Sequence, residues 1–389
     1  MPNTSPAPGV RFAELKTKRL LVLLGSGGVG KTTTSAALAL EAALTGLRVL
    51  VLTIDPAKRL ADALGLESVG NHETEIPLDQ LAGRPEGSPG TLHAMMLDTE
   101  AAFEDLVARL ADSSRVADTI RENRVYRHII DSLAGAQEYL AGEKIYDATA
   151  SGRFDLVVLD TPPTANALEF LEASGRIARF LDDRVFRWLL PTEGGSRAHL
   201  VQRLLRAPSG VVKLLLAKVF GERFGRDMEE FFLAFQGMHR EIRRRAEAVQ
   251  RLLRSDDTAF LLVTAPTREV VDEAVFFWQQ IRERELPFGG FIVNRVHLPA
   301  GDDLLEADPE ELHRAATRAV GDSPGLRPVL QALRDNLGLM EGLAQRDREA
   351  VEALLARSGG EAKMALIPRL AEDIHDLQGL RLVGAHLTA

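Results

Sequence analysis

Cysteine is missing altogether from the 389 residues. Its absence excludes disulfides, iron–sulfur clusters, thiolate zinc sites and the capture of arsenic by thiols. Long apolar runs are missing too. Lys16-Thr17-Lys18-Arg19 precedes just five apolar residues, Leu20 to Leu24, too few for a signal core, and no run reaches bilayer-spanning length. A cytoplasmic protein is expected. Positive charge is in deficit, with 47 Lys and Arg against 56 Asp and Glu and a net charge of -9. Nonspecific nucleic-acid binding needs the opposite balance, so no nucleic-acid partner is expected. The nine histidines show neither HxxxH nor HExxH spacing, which leaves no motif for a histidine-held catalytic metal.

What is present is concentrated in Gly25 to Thr33, GSGGVGKTT, which follows the apolar run Leu20–Leu24 and precedes a helix-forming stretch from Ser35 to Leu40. The spacing fits GxxxxGK[ST], a phosphate-binding loop with Gly25, Gly30, Lys31 and Thr32 at the defining places. Glycines let successive backbone N–H groups close around a phosphate, and the helix starting at Lys31 adds its positive dipole end. The cradle comprises Gly27, Gly28, Val29, Gly30, Lys31, Thr32 and Thr33, with Lys31 for the terminal phosphates and the Thr32 hydroxyl for Mg²⁺. The same residues also match GxGxxG, a dinucleotide fingerprint, with Asp55 about 25 residues on as the acidic ribose contact. Lys31-Thr32 has no role at a pyrophosphate, and a second acidic strand end at Asp160 has no place in a nicotinamide site.

Apolar runs at Leu20–Leu24, Arg48–Thr53, Leu92–Leu97, Phe154–Leu159, Ala259–Thr264, Gly290–Val293 and Met364–Ile367 read as strands. Their alternation with helical segments predicts an α/β fold, a mostly parallel sheet covered by helices. Residues 1–18 are expected to be a flexible tail and 19–389 a single domain, with 65–90 a mobile connection. Two segments, about 99–152 and 175–256, break the alternation with helical periodicity and form an apolar helical subdomain. The second carries Phe180, Phe186, Trp188, Phe220, Phe231 and Phe235, and needs either a core of its own or an apolar partner. It ends in Arg240, Arg243, Arg244, Arg245, Arg251 and Arg254 interleaved with Glu241 and Glu247, which reads as a solvated helix with i,i+4 pairing.

Hydrolysis of a nucleoside triphosphate needs a strand-end carboxylate on the metal side and a group that orients the attacking water. Asp160, closing LVVLD, suits the first role through a water. Asp55, at the edge of the RVLVLT strand, suits the second.

GSGGVGKTT, LTIDPAKRLADALGL (52–66) and VLDTPPTANALEFL (158–171) together resemble the arsenical-pump and tail-anchored-protein-targeting ATPases, the ArsA-like group of P-loop NTPases of the deviant Walker A class. The resemblance implies ATP and Mg²⁺ as cofactors and an ATP-driven dimer whose Asp-containing loops switch the helical subdomain. It also implies that Asp55 activates water, that Asp160 belongs to the second switch, and that Asn294 and Pro368 contact adenine. The implied client is a hydrophobic helix or a membrane-protein segment.

Three departures qualify it. Ser26 stands where the family has a lysine that reaches the partner's nucleotide, so another residue such as Lys58 or Arg59 substitutes, activity is slow, or the partner is a lysine-bearing paralogue. Loss of one such charge costs about 10²- to 10³-fold in rate. The zinc-clamping CxxC pair is missing, so no zinc is expected, and Asp308-Pro309-Glu310-Glu311 reads there as a helix start. Asn166 replaces a histidine of the second switch. Two readings follow: an ATP-hydrolysing switch working as a homodimer or heterodimer, or a slow or inactive regulatory subunit that scaffolds a hetero-oligomer with that paralogue.

Overall fold

The computed structural model describes residues 12–55, 57–79, 81, 90–111, 113–122, 136–162, 175, 238–299, 307–321, 323–360 and 362–388. A short helix α1 (Phe12–Leu15) opens this part, with Leu15 buried and Lys363 paired to Glu14. Leu15 is thus packed inside the segment expected to be a tail.

Strand β1 (Leu20–Leu24) leads through the glycine loop into α2 (Lys31–Leu44), followed by β2 (Arg48–Thr53) and α3 (Arg59–Leu64). Two strands come next, β3 (Thr74–Ile76) and β4 (Thr91–Met96). Helices α4 (Thr99–Leu110), α5 (Ser114–Glu122) and α6 (Ala136–Ala150) separate β4 from β5 (Leu156–Asp160). Helix α7 (His239–Arg254), β6 (Thr258–Thr264), α8 (Arg268–Glu283) and β7 (Phe288–Val296) continue the alternation. Helices α9 (Pro309–Val320) and α10 (Leu326–Arg357), strand β8 (Met364–Pro368) and α11 (Leu377–Thr388) complete it. The eight strands form one sheet in the order β3-β4-β2-β5-β1-β6-β7-β8. All pairings are parallel except β3 with β4.

The central strands β1, β5 and β6 are buried at every position because both sheet faces are covered there, the signature of parallel sheets. In β1, Leu21 and Leu23 pack with α2 and α11, while Leu20, Val22 and Leu24 pack with the layer of α6, α7 and α8. Alternate residues thus feed two separate cores, and each fully buried leucine contributes about 1.5–3 kcal/mol of transfer free energy. Parallel pairing also brings the ends of β1, β2 and β5 to one edge of the sheet, the edge where the glycine loop lies.

Two expectations change. The stretch 65–90 contributes the antiparallel edge strand β3 and buries Val69, Ile76 and Leu78. The long α10, unread in the sequence, follows the expected helix start at Asp308, whose carboxylate accepts from the Glu310 and Glu311 amides. Pro328 sits in the first turn of α10, where no intrahelical N–H is needed, and Gly338 and Gly342 face open space. Asp347 anchors the helix, taking both the backbone N–H and Nδ1 of His297 at 2.7 and 2.8 Å.

Of the expected helical subdomain, α4, α5, α6 and α7 are described; β5 lies between the two segments, and neither segment contains a strand among its described residues. The apolar positions Phe180 to Phe235 lie outside the described residues. The arginine-rich helix α7 pairs internally, Arg243 with Glu247 and Arg244 with Glu241. Arg245 pairs with Glu241 of its own helix at 3.1 Å and also turns inward to Glu143 and Asp147 of α6 at 3.0 and 2.8 Å, lying over the Tyr146 ring. Glu143 is buried, and desolvation pushes its carboxyl above the ordinary glutamate range. Arg245→Ala strands that carboxyl, so chemical denaturation is expected to show a loss of about 3 kcal/mol. Arg243→Ala, an exposed pair, is expected to lose under about 1 kcal/mol.

Candidate functional site

The glycine loop runs from β1 to α2. At Gly25 (φ 154°) a Cβ would lie 2.1 Å from the Val263 carbonyl oxygen of β6, so only glycine lets the loop leave the sheet there. Gly30 takes the left-handed conformation (φ 92°), and its missing Cβ would meet Asn294 Nδ2 at 2.3 Å. No side chain caps α2. Its first amides and dipole end therefore face the loop's concavity, ready for an anion.

Lys31 is buried and its Nζ donates to the carbonyls of Gly25 and Ser26, each at 2.8 Å, closing the loop on itself. Burial lowers its pKa, opposed by the nearby Asp160 and Asp55 carboxylates and reinforced by Arg59. Asp160 ends β5 at 1% exposure. Its Oδ2 accepts from the Thr32 hydroxyl of α2 at 2.8 Å and from the Thr53 hydroxyl of β2 at 2.9 Å. Strand register prepares this meeting, because Asp160 stands level with Leu23 of β1 on one side and Thr53 of β2 on the other. Asp160 Oδ1 is buried and has no hydrogen-bond partner among the described residues. An orphaned carboxylate oxygen beside a threonine hydroxyl is a donor set that fits Mg²⁺, which prefers oxygen ligands and keeps several waters.

Asp55 follows two residues after Thr53. Its amide donates to Thr53 Oγ1 at 3.2 Å, and its Oδ1 accepts from the Ala57 amide at 3.0 Å. Arg59 Nη1 donates to its Oδ2 at 3.0 Å. The preceding carbonyl, of Ile54, accepts from Gln137 Nε2 of α6 at 2.8 Å. Asn294 lies where the register between β7 and β8 shifts, next to Arg295 at φ 62°. Its Nδ2 donates to the Val29 carbonyl at 2.9 Å, so the structure places this residue on the phosphate loop itself. Pro368 closes β8 beside Val296. Ser26 is 8% exposed, and its hydroxyl donates to the Glu273 carboxylate of α8.

Lys31, Thr32, Asp55 and Asp160 are thus gathered at one sheet edge, with Asn294 reaching in from β7. Thr53, Gln137 and Glu273 were not legible as site residues. For Thr53 a signal existed, a hydroxyl ending an apolar strand just before Asp55. Gln137 and Glu273 lie on helices whose sequence carries no mark of the loop. Asn166 and the rest of 163–174 lie outside the described residues.

A parallel sheet with a glycine loop entering a helix, a lysine inside the loop and a strand-end aspartate on the loop's threonine define a P-loop nucleotide-binding protein. The family described as anion-transporting ATPase matches residues 18–309, and the chain belongs to it. The chain is similar to ATPase ARSA1 of Chlamydomonas reinhardtii, 27% identical over 349 residues, 84% of this chain and 42% of that protein. It is likewise similar to ATPase get3 of Pyrenophora tritici-repentis, 24% identical over 293 residues, 75% of this chain and 77% of that one. ATPase BagA of Mycobacterium tuberculosis is 25% identical over 324 residues, 82% of this chain and 75% of its own. The chain thus spans less than half of the algal protein and about three quarters of the other two. Among the described residues no helix is long and apolar enough to cross a membrane.

Burial pushes the Asp160 carboxyl up from 3.8 to about 6, against the opposing pull of Thr32, Thr53 and Lys31. A raised acid pKa means the folded chain keeps this proton up to about pH 6, whereas the unfolded chain releases it near 3.8. The stability it contributes is present below about pH 4 and lost as pH rises through 6. A Mg²⁺ ion held at Thr32 and Asp160 would compete with the same proton. Mg²⁺-dependent nucleotide affinity, measured by fluorescent-nucleotide titration, is expected to fall about tenfold per unit below pH 6 and to level off above it. Asp160→Asn is expected to abolish that pH dependence.

Proposed function

We propose that this chain is a Mg²⁺-dependent ATP-binding and ATP-hydrolysing switch, whose nucleotide cycle opens and closes a dimer and drives client handling by an apolar helical subdomain. The observation that carries the reading is the Asp160 carboxylate, held at once by Thr32 of the loop helix and Thr53 of the strand that delivers Asp55. Anything bound at Thr32 is felt two residues from Asp55.

In this reading the amides of Gly27 to Thr33 bind the phosphates. Lys31 leaves the Gly25 and Ser26 carbonyls to meet the terminal phosphates, which opens the loop. Thr32 and, through water, Asp160 would hold Mg²⁺, which when bound neutralises charge on the phosphate oxygens. Asp55 accepts a hydrogen bond from the attacking water and orients it in line with the terminal phosphorus. Asn294 steadies the loop from behind through Val29 and, with Pro368, borders the base. The Gln137 bond to Ile54 supports transmission from the Asp55 segment to the helical layer.

The dimer and the hydrophobic-helix or membrane-protein client rest on the resemblance to the targeting ATPases, while a cytoplasmic location rests on the lack of a signal core or spanning run in the sequence. The partner is a second copy or a lysine-bearing paralogue. The alternative, a slow scaffold subunit, has Ser26 in its favour, while the three relatives named above are called ATPases.

Turnover by the purified chain tests this. Lys31→Ala is expected to lose nucleotide affinity and turnover together. Asp55→Asn is expected to keep affinity within a few fold while kcat falls about 10²-fold or more, since general base or water-orienting groups supply about 10²–10⁴. Sedimentation should show a more compact species with ATP than without. Equal turnover in wild type and Asp55→Asn, or identical sedimentation in both states, would sink the reading.

A further inference from the structure

Charge spreads over the transferring phosphoryl oxygens during hydrolysis, and sites of this kind place a mobile cation there besides the loop lysine and the metal. The second loop position does not carry one in this chain. Ser26 is neutral and its hydroxyl is committed to Glu273.

A different cation stands at the site. Arg59 opens α3 and reaches back one turn to Asp55 Oδ2 at 3.0 Å. Its side chain is 60% exposed while that of Asp55 is 16% exposed, so the guanidinium lies on the open side of the carboxylate. It is also close enough to Lys31 for its charge to oppose the lysine's protonation. Neighbouring Lys58 is exposed and has no comparable influence on Lys31 among the described interactions. An exposed i,i+4 ion pair is weak and exchanges readily. A terminal phosphoryl group carries more charge than one carboxylate and accepts the guanidinium fork in bidentate fashion.

Building on the ATPase reading above, we propose that Arg59 is a catalytic residue that supplies within the same chain the cation absent at Ser26, and that its bond to Asp55 keeps the water-orienting carboxylate occupied until nucleotide triphosphate arrives. The terminal phosphate draws Arg59 off Asp55. The freed Oδ2 then accepts a hydrogen bond from water. Water oxygen bonds to the terminal phosphorus as the bridging bond to ADP breaks, and the water's proton leaves with inorganic phosphate. Arg59 stabilises the charge on the moving phosphoryl group and returns to Asp55 when phosphate departs. The arrangement makes activation conditional on the third phosphate, since ADP offers Arg59 nothing to exchange for.

ADP with aluminium fluoride and Mg²⁺ mimics the transferring phosphoryl group and separates this role from nucleotide binding. Wild type, Arg59→Ala, Arg59→Lys and Lys58→Ala are titrated with ADP alone and with the mimic, beside steady-state turnover of Mg-ATP. Arg59→Ala is expected to bind ADP like wild type, to bind the mimic about 10²-fold more weakly, and to lose a similar factor in kcat with little change in KM. Arg59→Lys should recover part of the loss, having the charge without the fork, and Lys58→Ala should match wild type. Equal affinity of wild type and Arg59→Ala for the mimic overturns the proposal. So does faster turnover in Arg59→Ala, which would reduce Arg59 to a restraint on Asp55, or an equal loss in Lys58→Ala. A wild-type chain that neither turns over ATP nor prefers the mimic to ADP refutes the ATPase reading itself, an outcome read before any variant is compared.

Discussion

A carboxylate buried at the end of a parallel strand is costly unless its oxygens are bonded, and Asp160 meets that demand with hydroxyls from two other elements. Thr32 comes from the helix after the glycine loop and Thr53 from the neighbouring strand. Three chain segments distant in sequence are thereby held at one point of the sheet edge. The second oxygen, Oδ1, has no partner among the described residues, and that deficit is what makes the site chemically useful. A fully satisfied carboxylate would be structural cement, whereas this one retains a lone-pair face for a hard cation.

Around that point the loop is braced from several sides. Asn294 of β7 holds the Val29 carbonyl, Glu273 of α8 holds the Ser26 hydroxyl, and Lys31 folds onto the loop's own carbonyls. On the β2 side, Gln137 of α6 holds the carbonyl just before Asp55. Each bond is modest in net free energy, about 1 kcal/mol, but together they tie the loop and the Asp55 segment to β7 and to the layer of α6 and α8. A rearrangement at the phosphates would therefore be shared with the helical layer on one face of the sheet. That layer is itself tied by Arg245 bridging α7 to Glu143 and Asp147 of α6, so α6 and α7 have reason to move as a unit.

Electrostatics around the loop are economical. Lys31 is desolvated and balanced by Asp160 and Asp55, while Arg59 sits on the solvent side of Asp55. The serine in the loop's second position donates to Glu273, and that bond couples the loop to α8.

Much of this was legible in one dimension. Continuous apolar runs gave away the buried strands because a sheet covered on both faces tolerates no polar alternation. GSGGVGKTT announced a phosphate cradle, since backbone conformation and close approach at Gly25 and Gly30 demand glycine locally. Asp55 and Asp160 stood out because two acidic strand ends accompany one phosphate loop, whereas either alone could be a helix cap. What was missed is non-local or locally contradictory. The edge strand β3 is too short to show a period, and α10 hides behind Pro328, tolerated in the first turn, and behind Gly338 and Gly342, each costing about 1 kcal/mol that the rest of the long helix outweighs. By itself the sequence determined the residue types of the cradle and the strands that deliver them, because those follow from local sterics and periodicity. Only the tertiary structure decided that Asp160 is shared by Thr32 and Thr53, that Ser26 answers to Glu273, and that Arg59 rather than Lys58 lies on Asp55, because register and helix packing bring together side chains up to hundreds of residues apart.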